Sequence, residues 1–211
     1  NDDKVENLFS EKSQNLIGSD IEIEDKKIIK IFQIFNKFIV SATTSSLIII
    51  NQKLAHQRIL YESFLKSMFE SSEDLQVLAF PVELSLSKKQ LILFKKIDSE
   101  FKSIGFKYEL LDNQLKILSI PSQLQMNSIE EIIDNILNDE YYFDDSNSLS
   151  HSDFFAKKLS KSSSIKSGKK LNLNEQEFLV NQLFSCKEPN LSPDNKQIFI
   201  TLSKNDIEKI F

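Results

Sequence analysis

The stretch "NQKLAHQRILYE", residues 51–62, directly follows the apolar run "SLIII" and gathers amides, a histidine and a carboxylate at the opening of a helix. Polar residues at the exit of a buried strand are held by the scaffold and still reached by solvent, which is where many enzymes place their chemistry. The competing reading is an ordinary helix start. Other chemistries are poorly served by this sequence. Its three glycines, Gly18, Gly105 and Gly168, lie far apart, so neither a phosphate-binding loop nor a dinucleotide-binding turn can be assembled from them. Two histidines, His56 and His151, and the single Cys186 offer no zinc spacing. No serine sits in a nucleophile elbow. No cofactor is called for.

One electrostatic feature stands out. Lys157, Lys158, Lys161, Lys166, Lys169 and Lys170 follow one another with no acid among them and with serines alongside. Such a run is either a solvated loop or a patch that tracks DNA phosphates with steep salt dependence. The net charge of −5 excludes a surface that is basic all over, while leaving room for a local patch.

The elements that position these residues follow from periodicity. A chain of 211 residues with 40% hydrophobic content can build a substantial core. Residues 1–26 are acidic and poor in apolar side chains, and read as a disordered linker. From Ile28, "IIKIFQIFNKFIVSA" leads into the strands "FIVSATT" and "SLIII", and a helix over roughly 54–69 follows, with Ile59, Leu60, Phe64, Met68 and Phe69 for its buried side. Leu78, Phe80, Val82, Leu84 and Leu86 alternate with polar or small residues as a half-buried strand, which Pro81 assigns to an edge or bulge. Ser87 with Gln90 opens a helix whose stripe runs from Phe94 through Ile97, Phe101 and Ile104 to a stop at Gly105. "FKYELLDNQLKILSI" turns at Asp112–Asn113 as a hairpin, and Ser128 with Glu131 caps a helix carrying Ile129, Ile132, Ile133, Ile136 and Leu137. Residues 138–153 are acidic and loop-like. A helix near 152–161, another opening at Asn174 with Glu177, the strand "KQIFITL" and a short helix "KNDIEKIF" close the chain. This pattern predicts an α/β (α+β) fold: a first subdomain of mixed sheet and flanking helices over 27–75 and 146–211, and an inserted β-α-β-β-α subdomain over 76–145. A lone cysteine, no bilayer-length apolar run and no basic-then-apolar leader point to an intracellular chain, and a start without Met suggests a piece of a longer protein.

The two ends of this fold resemble one family, the C-terminal domain of the mismatch-repair protein MutL. "QIFNKFIV" followed by "LIIINQKLAHQRILYE" is similar to the family's strand and its D-Q-H-A-x-x-E-x-x-x-x-E stretch, and "FSCKEPNLSPDNKQIFITLSKNDIEKIF" is similar to its closing segment with C-P-H-G-R-P. Family members that nick DNA converge carboxylates, imidazole and thiolates on divalent metal. In this sequence Asn51, Lys53 and Gln57 stand where the motif has Asp, His and Glu, and Glu62 alone matches. Ser192 and Asp194 take the Cys and His positions of the closing motif, and Ser160 that of a further Cys. An amide does not replace a carboxylate, and an ammonium repels a cation, so the resemblance implies a domain without endonuclease activity. Its implied role is to join two chains as a homodimer, so that N-terminal ATPase domains outside this chain clamp DNA in the cytoplasm, at the nucleoid, together with the mismatch-recognition protein MutS. It also implies a sliding-clamp contact at Gln76, Ala79 and Pro81, weakened because Ala79 fills an aliphatic position. The rival reading is an endonuclease with unusual ligands, built on Glu62 and Asp194 with Asp206 or Glu208.

Overall fold

The computed structural model describes residues 30–70, 75–125, 128–138 and 151–211. The acidic stretch 1–26 and most of 138–153 lie outside the described residues. The chain forms two compact units, the first comprising the described residues up to Gln52 with Ser167–Asn181 and Phe199–Phe211, the second Lys53–Lys166 with Gln182–Ile198.

The first unit is built on a four-stranded antiparallel sheet of order β1-β2-β3-β7, from β1 (Lys30–Ile34), β2 (Phe38–Ala42), β3 (Ser46–Asn51) and β7 (Phe199–Ser203). The stretch before "FIVSA" is itself a strand: β1 folds back on β2 through Phe35 and Asn36, both at positive φ, a left-handed pair in which Asn is well tolerated. Register sets the two faces. Ile39, Ile48 and Ile50 are buried on one side, while Phe32, Val40, Ile49 and Ile200 form a cross-strand row on the other. The sequence pattern predicts a mixed sheet; among the described strands every pairing is antiparallel, because each neighbour is reached by a hairpin or a long return that reverses direction.

The second unit packs helices against a three-stranded antiparallel sheet of order β4-β6-β5, from β4 (Leu75–Ser85), β5 (Lys107–Leu111) and β6 (Gln114–Pro121). Its helices are α1 (Gln52–Glu70, entering from the first unit), α2 (Lys88–Lys96), α3 (Asp98–Ser103), α4 (Ile129–Leu137) and α5 (His151–Ser163). One core joins Leu60 and Phe64 of α1, Phe94, Phe101, Ile117, the five apolar residues of α4, and Phe155 and Leu159 of α5. Compactness therefore groups 53–75 and the α5 region with the inserted elements, because their apolar stripes share this core rather than the first unit's.

Several local expectations are corrected. The stripe from Phe94 to Ile104 is split into α2 and α3 at Ile97, whose N–H is shared between the Leu93 and Phe94 carbonyls. The alternation of β4 fails at Phe80, which is 84% exposed: the pairing jumps from Val77↔Ser119 to Val82↔Ile117, and this bulge turns Phe80 away from the core. Phe69, in the final turn of α1, is exposed as well. Ser128 spends its hydroxyl on the Gln125 carbonyl instead of closing a box with Glu131. The next helix, α6 (Leu173–Phe184), is capped two residues earlier than expected: Asn172 and Glu175 exchange side-chain and backbone bonds at 2.8 and 2.9 Å. The Ser87/Gln90 box forms as expected, and the closing helix α7 (Lys204–Glu208) opens on a Ser203/Asp206 box.

Candidate functional site: the motif helix and its facing loop

Gln52, at the junction of β3 and α1, is completely buried. Its amide donates to the Asn36 and Lys169 carbonyls at 2.9 and 3.0 Å, and its Oε1 accepts from Gln33 at 2.6 Å. Gln33 in turn donates to the Lys169 carbonyl and accepts from the Leu171 N–H. The half-buried Gln33 and the buried Gln52 thus hold the segment after Gly168 in the first unit, bonded to each other and to backbone. No local pattern marks this pair, because the partners of Gln52 lie 16, 19 and 117 residues away. Asn51, the neighbouring motif position, is half-buried as the last residue of β3.

In the second unit α1 faces the loop 187–198. Arg58 is 5% exposed and donates from Nε to the Leu191 carbonyl at 2.6 Å. Its Nη2 lies 3.2 Å from Glu188 and its Nη1 3.7 Å from Glu62. Glu62 accepts the backbone N–H groups of Lys187 and Glu188 at 2.8 and 3.2 Å. Glu62 is therefore engaged by two amide hydrogens and a guanidinium, and acts as a cap on the loop.

The other motif positions are spent in the same way. Gln57, 2% exposed, donates to Asp194 Oδ2 at 3.3 Å, and Lys161 Nζ lies 3.5 Å from the same oxygen. Ser192 is fully buried; its Oγ accepts the Lys196 N–H, and its carbonyl accepts from Asn195, a residue at φ 58°. Ser160 is fully buried too and donates back to the Lys157 carbonyl of its own helix. His56 Nδ1 accepts the Ile165 N–H at 3.1 Å, which fixes it as the acceptor nitrogen. Lys53 is exposed. Cys186 is half-buried, and burial followed by the charge of Glu62 pushes its thiol up to about 12 despite Arg58. It is a protonated thiol at neutral pH, a poor ligand and a poor nucleophile.

Divalent metal, implied by the family motif, does not fit this donor set. Amide, ammonium and hydroxyl groups occupy its positions, and both carboxylates already face cations. Among the described residues no three of His, Cys, Asp and Glu converge to hold a metal ion. The extra acids of the rival reading belong to the first unit: Asp206 accepts from the Ser203 N–H and hydroxyl at 3.0 and 2.6 Å, which holds its carboxyl below the ordinary value, and Glu208 pairs with Lys204 at 3.5 Å.

The clamp-contact candidates lie on β4, an edge strand. Gln76 is half-buried opposite Ile120, while Ala79 and Pro81 are exposed within the bulge, flanked by Val77 and Phe80 at 79% and 84% exposure. The lysine run is divided between the units. Lys157 pairs with Asp153, Lys161 with Asp194 and Lys166 with Glu131, and Lys158 stands over the Phe154 ring. In the first unit Lys169 lies 4.0 Å from Glu175, and Lys170 is exposed. Among the described residues, no helix is long and apolar enough to cross a membrane.

A family model described as the MutL C terminal dimerisation domain matches residues 31–171. The chain is 35% identical over 208 residues to the DNA mismatch repair protein MutL of Christiangramia forsetii, covering 98% of this chain and 33% of that protein. It is 36% identical over 203 residues to the same-named protein of Flavobacterium johnsoniae, covering 96% and 31%, and 31% identical over 182 residues to that of Chloroherpeton thalassium, covering 86% and 28%. The chain spans about a third of the length of these relatives.

Proposed function

Since the chain belongs to the MutL C-terminal dimerisation domain family, we propose that it joins two copies of its own protein in DNA mismatch repair, through the edges of one apolar face of the first unit's sheet. The row Phe32, Val40, Ile49 and Ile200 carries this reading. It crosses all four strands: Val40 is buried at 3% and Ile49 is half-buried, while Phe32 and Ile200 at its ends remain 40% and 45% exposed. An apolar sheet face open at both edges gains from meeting a copy of itself, because a two-fold contact pairs each side chain with an equally apolar one. Joining the C-terminal parts makes the meeting of N-terminal ATPase domains, outside this chain, an intramolecular event at high effective concentration.

In this reading residues 27–75 and 146–211 serve dimerisation, 76–145 serve regulation, and 1–26 act as a tether. The domain makes no strand cut itself, since its motif positions are consumed as loop supports. MutS is the mismatch-recognition partner, and a sliding clamp docks weakly on β4 at Gln76, Ala79 and Pro81. The full-length protein works on DNA in the cytoplasm, at the nucleoid. Sedimentation velocity tests the central claim: the domain runs as a dimer at micromolar concentration, and Phe32→Glu with Ile200→Glu makes it a folded monomer. A wild-type monomer overturns the proposal.

A further inference from the structure

The turn between β1 and β2 closes with the Lys37 N–H on the Ile34 carbonyl at 3.1 Å, and its two central residues, Phe35 and Asn36, lie at φ 53° and 47°. Positive φ at both centres is the pattern of a type I′ turn, which suits Asn, Asp and Gly and strains a residue with a bulky side chain. Among the described residues, Asn36, Asp112 and Asn195 are the other non-glycine residues at positive φ, all of the tolerant types; Phe35 is the exception. It is also 85% exposed, so it contributes little apolar burial to its own chain. The turn is nevertheless fixed from beneath: Gln52 donates its backbone N–H to the Lys37 carbonyl at 3.1 Å and its side-chain amide to the Asn36 carbonyl at 2.9 Å. The fold thus holds an aromatic ring out in solvent, in a conformation that Asn would adopt with less strain.

We propose that Phe35 is an anchor in the contact between two copies of this chain, its ring covered by the partner copy. The proposal rests on the dimerisation reading and extends the contact from the sheet face to the turn at the end of β1. Two observations favour a second copy as the occupant. Phe35 follows three residues after Phe32 on the edge strand that carries one end of the apolar row, so it continues the surface on which that reading stands. Gln33 accepts the Leu171 N–H at 3.1 Å, which ties this strand to the start of α6, whose first residue, Leu173, is 54% exposed. A two-fold contact presents each copy with the same ring, the same leucine and the same Phe32, so the apolar cover that Phe35 lacks is supplied by the chain itself. A ring already held in place loses little freedom when it is covered, which is what an aromatic contact anchor requires.

The chain contains no tryptophan, so Phe35→Trp places a single fluorescent reporter at the site. Its emission and its quenching by acrylamide are read in the 211-residue chain, with sedimentation run at the same concentrations. Where sedimentation shows a dimer, the indole is expected to emit at short wavelength and to resist acrylamide. With Phe32→Glu and Ile200→Glu added to make the variant a monomer, it is expected to emit as an exposed indole. Phe35→Asn, which suits the turn, is expected to weaken dimerisation about tenfold or more, the scale of a lost aromatic anchor, while Phe35→Tyr keeps it. Exposed emission in the dimer overturns the proposal, and so does a Phe35→Asn dimer of wild-type affinity. An indole shielded in the monomer as well means that the chain covers the site itself, which overturns it too. A wild-type dimer with any of these results sinks this inference alone; a wild-type monomer sinks the dimerisation reading on which it rests.

Discussion

Gln57 and Asp194 are 137 residues apart in sequence, and the Gln57 amide donates to the Asp194 carboxylate at 3.3 Å. This bond joins α1 to the loop at 187–198 and engages two positions that the resemblance implies as ligand positions in nicking relatives. It is a structural link of a type that a sequence motif does not reveal. Gln57→Ala removes a buried donor to a charged acceptor, and is expected to cost about 1–3 kcal/mol by urea unfolding. Gln57→Glu is expected to cost at least as much, because it sets a second carboxylate against Asp194. A Gln57→Glu variant as stable as wild type would show that the loop is not held in this way.

Calorimetric titration with Mn²⁺ and with Zn²⁺ is expected to give no binding at micromolar metal. Glu62 is capped by Arg58 and two N–H groups, and Asp194 is faced by Lys161. Clear heats that vanish in Glu62→Gln would restore the endonuclease reading.

Gln52→Leu is expected to destabilise the first unit by about 1–3 kcal/mol, because it leaves the Asn36 carbonyl without this donor and deprives Gln33 of its partner at 2.6 Å. Hydrogen exchange should show the loss concentrated in 33–36 and 167–172. Uniform loss of protection across the chain would argue that the amide pair has no local role.

Tyr61 donates its hydroxyl to Asp153, and burial followed by that carboxylate raises its phenol above the ordinary value of 10.0. Burial and Asp98 do the same to Tyr108. A raised folded value means stability that is complete below pH 10 and is lost as pH rises toward and through the folded value. Unfolding followed from pH 8 upward should therefore show a decline above pH 10, shallower in Tyr61→Phe and shallower still with Tyr108→Phe added. Identical alkaline limbs would remove the phenols as its cause.

Gly105 adopts φ 103°, and a Cβ there would stand 2.3 Å from Leu75 Cδ2. Gly105→Ala is expected to cost about 1 kcal/mol or more, mostly from the backbone, since the leucine tip can move. Thermal unfolding of the variant checks this, and an unchanged midpoint would mean the turn relaxes freely.

The sequence by itself determined the order and type of most elements, because periodicity, caps and turn residues act locally: the α4 stripe, the Ser87/Gln90 box, the Asp112 hairpin and the stop at Gly105 all follow from neighbours within a few positions. It also carried the family resemblance, and with it the change of Asn51, Lys53 and Gln57 away from ligand chemistry. Tertiary structure decided the rest. The β4 bulge that exposes Phe80 depends on a partner strand some forty residues on, and local alternation does not register it. The roles of Glu62 and Asp194 depend on charges delivered by Arg58 and Lys161 and on backbone N–H groups more than a hundred residues away. Local propensities are written in single residues, whereas the partner that satisfies a buried amide or a carboxylate is chosen only when the chain closes on itself.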